Sequence, residues 1–118
     1  METPWNNTEW EIEEGDPSLL KSGRTVYLAG PMTGIENYNH TTFFSAAEFL
    51  SQEGMLVLNP ATLPIGMPEK SYMPICLAML NEAEIIAMLP GWQTSVGACL
   101  EESYAYRQGK GMIFLKKR

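Results

Sequence analysis

Residues 95–101 read Ser-Val-Gly-Ala-Cys-Leu-Glu, the stretch of the chain in which residue types and spacing carry the most chemistry. If Ser95 caps a helix, the backbone N–H groups of Val96 through Ala98 have no intrahelical acceptor, and that positive end attracts anions. The serine hydroxyl adds a donor. Gly97 and Glu101 are four residues apart, so they stack on one helical face. Helical side chains lean toward the N-terminus, which sets Glu101 over a glycine with no side chain and leaves ligand-sized room above its carboxylate. The helix end also favours the ionised form of Glu101. An ionised carboxylate beside an anion nest suits nucleophilic attack on a sugar carbon. The plainer alternative makes Glu101 and Glu102 ordinary exposed helix surface, where glutamate is common.

Composition narrows the chemistry further. His40 is the only histidine, which removes every multi-histidine metal site. Cys76 and Cys99 form neither a zinc set nor a disulfide framework and read as two reduced thiols. No metal and no cofactor are therefore expected. Fourteen acids against eight bases leave a net charge of −6. With Lys116-Lys117-Arg118 as the one basic cluster, duplex nucleic acid is excluded as the main partner. No apolar run approaches the length of a membrane span. The acidic N-terminus lacks the apolar core of a secretory signal, so the expected location is the cytoplasm. Six of the acids fall in residues 1–22 against Lys21 alone, whereas residues 23–118 hold eight glutamates against seven bases. Asp16 is the only aspartate, so residues 23–118 have none.

The elements that must position this chemistry follow from apolar runs and their stops. Residues 25–29 form a β-rich run stopped by Gly30-Pro31, with Gly34 after it. Asn39 is placed to cap a helix reaching to about Glu53, with Phe43, Ala46, Ala47 and Leu50 on its apolar face. Residues 55–58 form a second strand ended by Asn59-Pro60. Ser71 is the expected cap of a second helix ending near Ala83, with Pro74 in its first turn. Residues 85–89 form a third strand stopped by Pro90-Gly91, a third helix runs from Ser95 to about Gln108, and residues 112–115 form a fourth strand. The order β-α-β-α-β-α-β with continuously apolar strands predicts an α/β domain: a four- to five-stranded, mainly parallel sheet with helices on both faces. Residues 1–22 read as an acidic extension outside this domain, expected to be mobile unless Trp5 and Trp10 dock it. Ligands of such sheets bind beyond the carboxyl ends of the strands. That points to 30–34, to Asn59-Pro60, and to Pro90-Gly91-Trp92 with the start of the third helix. There is no GxGxxG fingerprint and no P-loop lysine.

Three motifs in this order, Tyr27-Leu28-Ala29-Gly30-Pro31-Met32-Thr33-Gly34, Leu89-Pro90-Gly91-Trp92 and Ser95-x-Gly97-Ala98-x-x-Glu101, resemble the nucleoside 2-deoxyribosyltransferase-like superfamily. Within it the chain is most similar to the small branch of phage and prophage domains of the DUF4406 type, over residues 24–116. The resemblance implies a Rossmann-like domain assembled as a homodimer or larger. It implies cleavage of the N-glycosidic bond of (deoxy)nucleosides or their 5′-monophosphates, with Glu101 attacking C1′ and Tyr27 holding that glutamate. Ser95 stands where the superfamily's monophosphate hydrolases use serine on the 5′-phosphate, which agrees with the anion nest. Gly30, Pro31, Met32 and Gly34, together with Ser95, Gly97 and Ala98, are the expected nucleotide-binding positions. Tyr38 and Trp92 lie near the same edge and can stack on a base.

The superfamily's enzymes carry an aspartate on the preceding helix that assists the departing base. Cys76 occupies that position here, and a thiol is a poor proton donor beside a tuned carboxyl. The spacing of Cys76 with Leu80 and Ala83 also reads as packing. Phe44 and Tyr72 are expected in the core, the methionines read as core filler, and His40 reads as surface, with contact to phosphate as its alternative role. Three functions remain open. The first is an N-glycosidase of nucleoside 5′-monophosphates. The second is a non-catalytic, phage-type protein that sequesters a nucleotide or nucleotide signal. The third is a protein-partner module acting through the acidic arm.

Overall fold

A computed structural model describes residues 9–118. Four runs pair in parallel: β2 (Thr25–Ala29), β3 (Leu56–Leu58), β4 (Ile85–Met88) and β5 (Gly111–Lys117). All four residues of β4 are buried, as a strand covered on both faces requires. A fifth strand, β1 (Trp10–Gly15), pairs antiparallel with β5 and completes a mixed sheet of order β1-β5-β4-β2-β3. The connections are α1 (His40–Gln52), α2 (Glu69–Glu82) and α3 (Val96–Arg107).

The period-two alternation of β2 divides the core into two layers. Val26 and Leu28 face α1, where they meet Phe43, Ala46, Phe49 and Leu50. Tyr27 and Ala29 face the opposite layer with Leu80 of α2 and Ala98 and Ala105 of α3. The chain thus leaves β2 toward one face and leaves β4, its sheet neighbour, toward the other. Between two such strands a crevice opens at their carboxyl ends, the usual ligand position in sheets of this kind. Both Gly30-Pro31 and Leu89-Pro90-Gly91 lie at that crevice.

Four expectations are corrected. Residues 1–22 do not stand apart as a whole: from Trp10 onward they belong to the fold. Trp10 is fully buried and its indole N–H donates to Ser45 Oγ at 2.9 Å. Glu9, just before β1, and Glu11 within it meet the basic end of β5, with Glu11–Lys116 at 3.6 Å and Glu9–Lys117 at 3.2 Å. The two segments that looked most solvated therefore pair with each other. Trp5 lies outside the described residues. The second helix begins at Glu69 rather than after Ser71, so Pro74 sits in its second turn. Asn39 stands at the N-cap of α1 as expected, but its backbone is left-handed (φ 61°) and its side chain makes no bond to the helix, donating to Pro31 O at 2.9 Å instead. Phe44 is 48% exposed and edge-on to His40 rather than in the core. Among the described residues no helix is long and apolar enough to cross a membrane.

Candidate functional site

Ser95 caps α3 as its position demands: its backbone is extended and its Oγ accepts from Ala98 N–H at 3.2 Å. That bond occupies one of the three N–H groups expected to be open, leaving those of Val96 and Gly97 without an intrahelical acceptor. One turn further on, Glu101 points inward and is only 6% exposed. It is not a surface glutamate. Tyr27, buried on the sheet beneath, donates its hydroxyl hydrogen to Glu101 Oε2. A bond spanning 74 residues ties the carboxylate to the middle of β2.

Burial dominates the electrostatics of this cluster. It raises the Glu101 carboxyl to about 7, and the Tyr27 hydrogen bond pulls in the opposite direction. Burial also raises Tyr27, reinforced by the charges of Glu101 and Cys76. Cys76 faces the same cluster from α2. Its thiol is raised by burial first and by the Glu101 charge as well, while a hydrogen bond with Tyr27 opposes the rise. The cluster thus holds one carboxyl that ionises near neutral pH between two protonated neighbours. Cys76 also packs with Leu80 and Ala83, so its packing role and its place in the site coexist.

The other expected positions divide by role. Gly30 is demanded by packing: a methyl group there would lie 2.8 Å from Leu89 Cβ, so β2 and β4 could not close at their carboxyl ends. Gly34 turns the loop at φ 84°. Pro31 is buried, and a methyl group on Gly91 would lie 3.5 Å from its ring, which brings the two loops into contact. Met32 packs into the α1 layer. Trp92 leans on Phe114, with ring centroids 5.8 Å apart, at the carboxyl end of β4. Tyr38 is half exposed, 6.4 Å from the His40 ring, within a run of three left-handed residues from Asn37 to Asn39. The structure therefore brings together Tyr27, Cys76 and Glu101, with Ser95, Gly97 and Ala98 one turn away. Met32 and Tyr38 belong to the α1 side of the crevice.

Two residues of this region carry more than the sequence reading gave them, which placed Asn59 at the ligand edge only together with Pro60. Asn59 is 6% exposed at the end of β3; its Oδ1 accepts from Ala61 N–H at 2.9 Å, while its buried Nδ2 has no partner. Met73, read as filler, reaches from α2 over Gly97, where a methyl group would lie 3.2 Å from its Cε. The only signal for Met73 was its place three residues before Cys76 on one helical face. Cavities of about 550 and 300 Å³ lie along the outer face of α3, bordered by Tyr106 and Leu100 respectively, and neither is lined by Glu101. Among the described residues no group of three or more His, Cys, Asp or Glu is placed to hold a metal ion.

Residues 24–114 match the family model described as "Domain of unknown function (DUF4406)", which spans most of the chain, and the protein belongs to that family. No curated protein and no solved structure matches it.

Proposed function

We propose that this DUF4406 protein binds a (deoxy)nucleoside 5′-monophosphate in the crevice between β2 and β4 and cleaves its N-glycosidic bond through Glu101. The supporting observation is the buried Glu101 carboxylate, fixed by Tyr27 one turn from the capped start of α3. The resemblance of the Tyr27–Gly34, Leu89–Trp92 and Ser95–Glu101 motifs to the nucleoside 2-deoxyribosyltransferase-like superfamily points the same way. In the first step a carboxylate oxygen of Glu101 bonds to C1′ as the C1′–N bond breaks, and the base leaves with the bonding pair and takes a proton from solvent. In the second step water adds to C1′ of the glycosyl ester, releasing the sugar phosphate and regenerating Glu101. The Val96 and Gly97 N–H groups and the Ser95 hydroxyl receive the 5′-phosphate. Attack needs the ionised carboxylate, so the rate rises with pH through about 7.

Cys76 favours a second reading, binding without turnover. Its thiol is held protonated more firmly than usual, which makes it a weak donor to a departing base. A phage-type protein that sequesters a nucleotide signal needs no such donor. Incubation with a panel of nucleotides separates the two: free base released by wild type but not by Glu101→Gln supports cleavage. Tight binding without release, unchanged in Glu101→Gln, supports sequestration. Turnover created or raised by Cys76→Asp identifies the missing acid as the limiting group. The exposed Val96, Leu100 and Tyr106 on the outer face of α3 are consistent with a homo-oligomer, which sedimentation of wild type against Leu100→Lys tests.

A further inference from the structure

The space that Gly97 leaves one turn below Glu101 is occupied by the end of the Met73 side chain. Its Cε lies over Gly97, in the direction toward which the Glu101 side chain leans. We propose that Met73 is a displaceable cover over Glu101, which closes the site when empty and swings aside to admit a ligand, so that the residue at position 73 selects what reaches the carboxylate. The inference rests on the ligand site proposed above.

Two features suit Met73 to this role. Its unbranched thioether turns about three bonds at little cost, unlike a β-branched residue on a helix. It also precedes Pro74, which lies inside α2 and has no N–H. The carbonyl of Lys70 therefore loses its helical partner, and residues 69–73 are coupled to the rest of α2 more weakly than an unbroken helix would allow. Tyr72 fastens this turn to the preceding loop instead, donating to Pro64 O at 2.6 Å and accepting from Met67 N–H at 3.2 Å. The cover thus has a soft attachment to α2 and a firm one to the loop. Gly97 completes the arrangement: any larger residue there would meet the Met73 methyl and hold it off the site.

The test reads Glu101 directly. In protein without nucleotide, the midpoint of the Glu101 carboxyl-carbon NMR titration falls by about one pH unit in Met73→Ala, because water reaches the carboxylate. An unchanged midpoint overturns the cover. Met73→Leu keeps the volume and keeps the wild-type midpoint. A fall as large as that of Met73→Ala would instead mean a general loosening of α2 and would also overturn it. These readouts involve no ligand, so they stand whether or not nucleotides bind. Displacement is then read in wild type carrying ¹³C-methyl methionine, mixed with the four 2′-deoxynucleoside 5′-monophosphates. The Met73 methyl signal moves together with the Glu101 signal; a Glu101 shift with a stationary Met73 methyl refutes the swing. If neither moves, the nucleotide reading fails and the two titrations alone decide the cover.

Discussion

Replacing Glu101 with Gln keeps the shape of the side chain and its acceptor for Tyr27 while removing its titration. The magnitude follows from the raised carboxyl: going from the ordinary 4.5 to about 7, at about 1.4 kcal/mol per tenfold in proton affinity, corresponds to about 3 kcal/mol. The sign follows from proton binding. Between these two values the folded protein holds a proton that the unfolded chain has released, so stability falls as pH rises through that window and levels off above it. Wild type should therefore lose about 3 kcal/mol more than Glu101→Gln between pH 4.5 and 8.5. Titrating groups that do not touch Glu101 act on both proteins and cancel in the difference, while Tyr27 and Cys76, raised by burial, stay protonated across this range. Denaturant unfolding at a series of pH values measures it, with midpoint and slope compared at each point. Parallel stability curves for the two proteins would refute the claim that Glu101 is a buried carboxyl of raised pKa.

Tyr27→Phe removes the hydrogen bond that holds the Glu101 carboxyl down. Its midpoint should rise above about 7, with a loss of about 1–3 kcal/mol in unfolding free energy, read by carbon NMR and denaturation. Trp10→Ala empties a fully buried site and removes the indole donor to Ser45, so it should cost about 3–5 kcal/mol. An equilibrium unfolding curve within experimental error of wild type would contradict the placement of β1 in the fold. Asn59→Ala loses the turn contact to Ala61 N–H and should cost about 1 kcal/mol, whereas Asn59→Asp places a carboxyl at a buried position and should cost more at neutral pH than at pH 4, as thermal melts at the two pH values would show.

How much of this was legible in the sequence depends on whether a residue's partner was local. The runs of β2 and β4 announce themselves because strands buried on both faces need no polar alternation. Ser95 as cap and the Gly97–Glu101 stack are helix geometry, and both hold. Tyr27 as the partner of Glu101 came from the family resemblance, and its hydroxyl bond spans two layers of the fold. β1 is hidden because Glu9-Trp10-Glu11-Ile12-Glu13-Glu14 resembles a solvated arm until Glu11 and Glu9 meet Lys116 and Lys117 from the far end of the chain. Phe44 was assigned to the core on its residue type, and His40 beside it on the surface was not foreseen as its partner. Met73 over Gly97 is a contact between helices, which the three-residue spacing to Cys76 only hints at. Proline misled in a different way: Pro74 fits a first turn by rule, and the helix began early enough to make it interior.

The most direct test of the central claim is to trap the bond that Glu101 is proposed to form. The protein is incubated with a 2′-fluoro-substituted nucleoside 5′-monophosphate, which slows the second step, and its peptides are weighed by mass spectrometry. The account predicts an added sugar phosphate on the peptide carrying Glu101, absent from Glu101→Gln and accompanied by one equivalent of free base. Bound nucleotide with no adduct and no base released would contradict it.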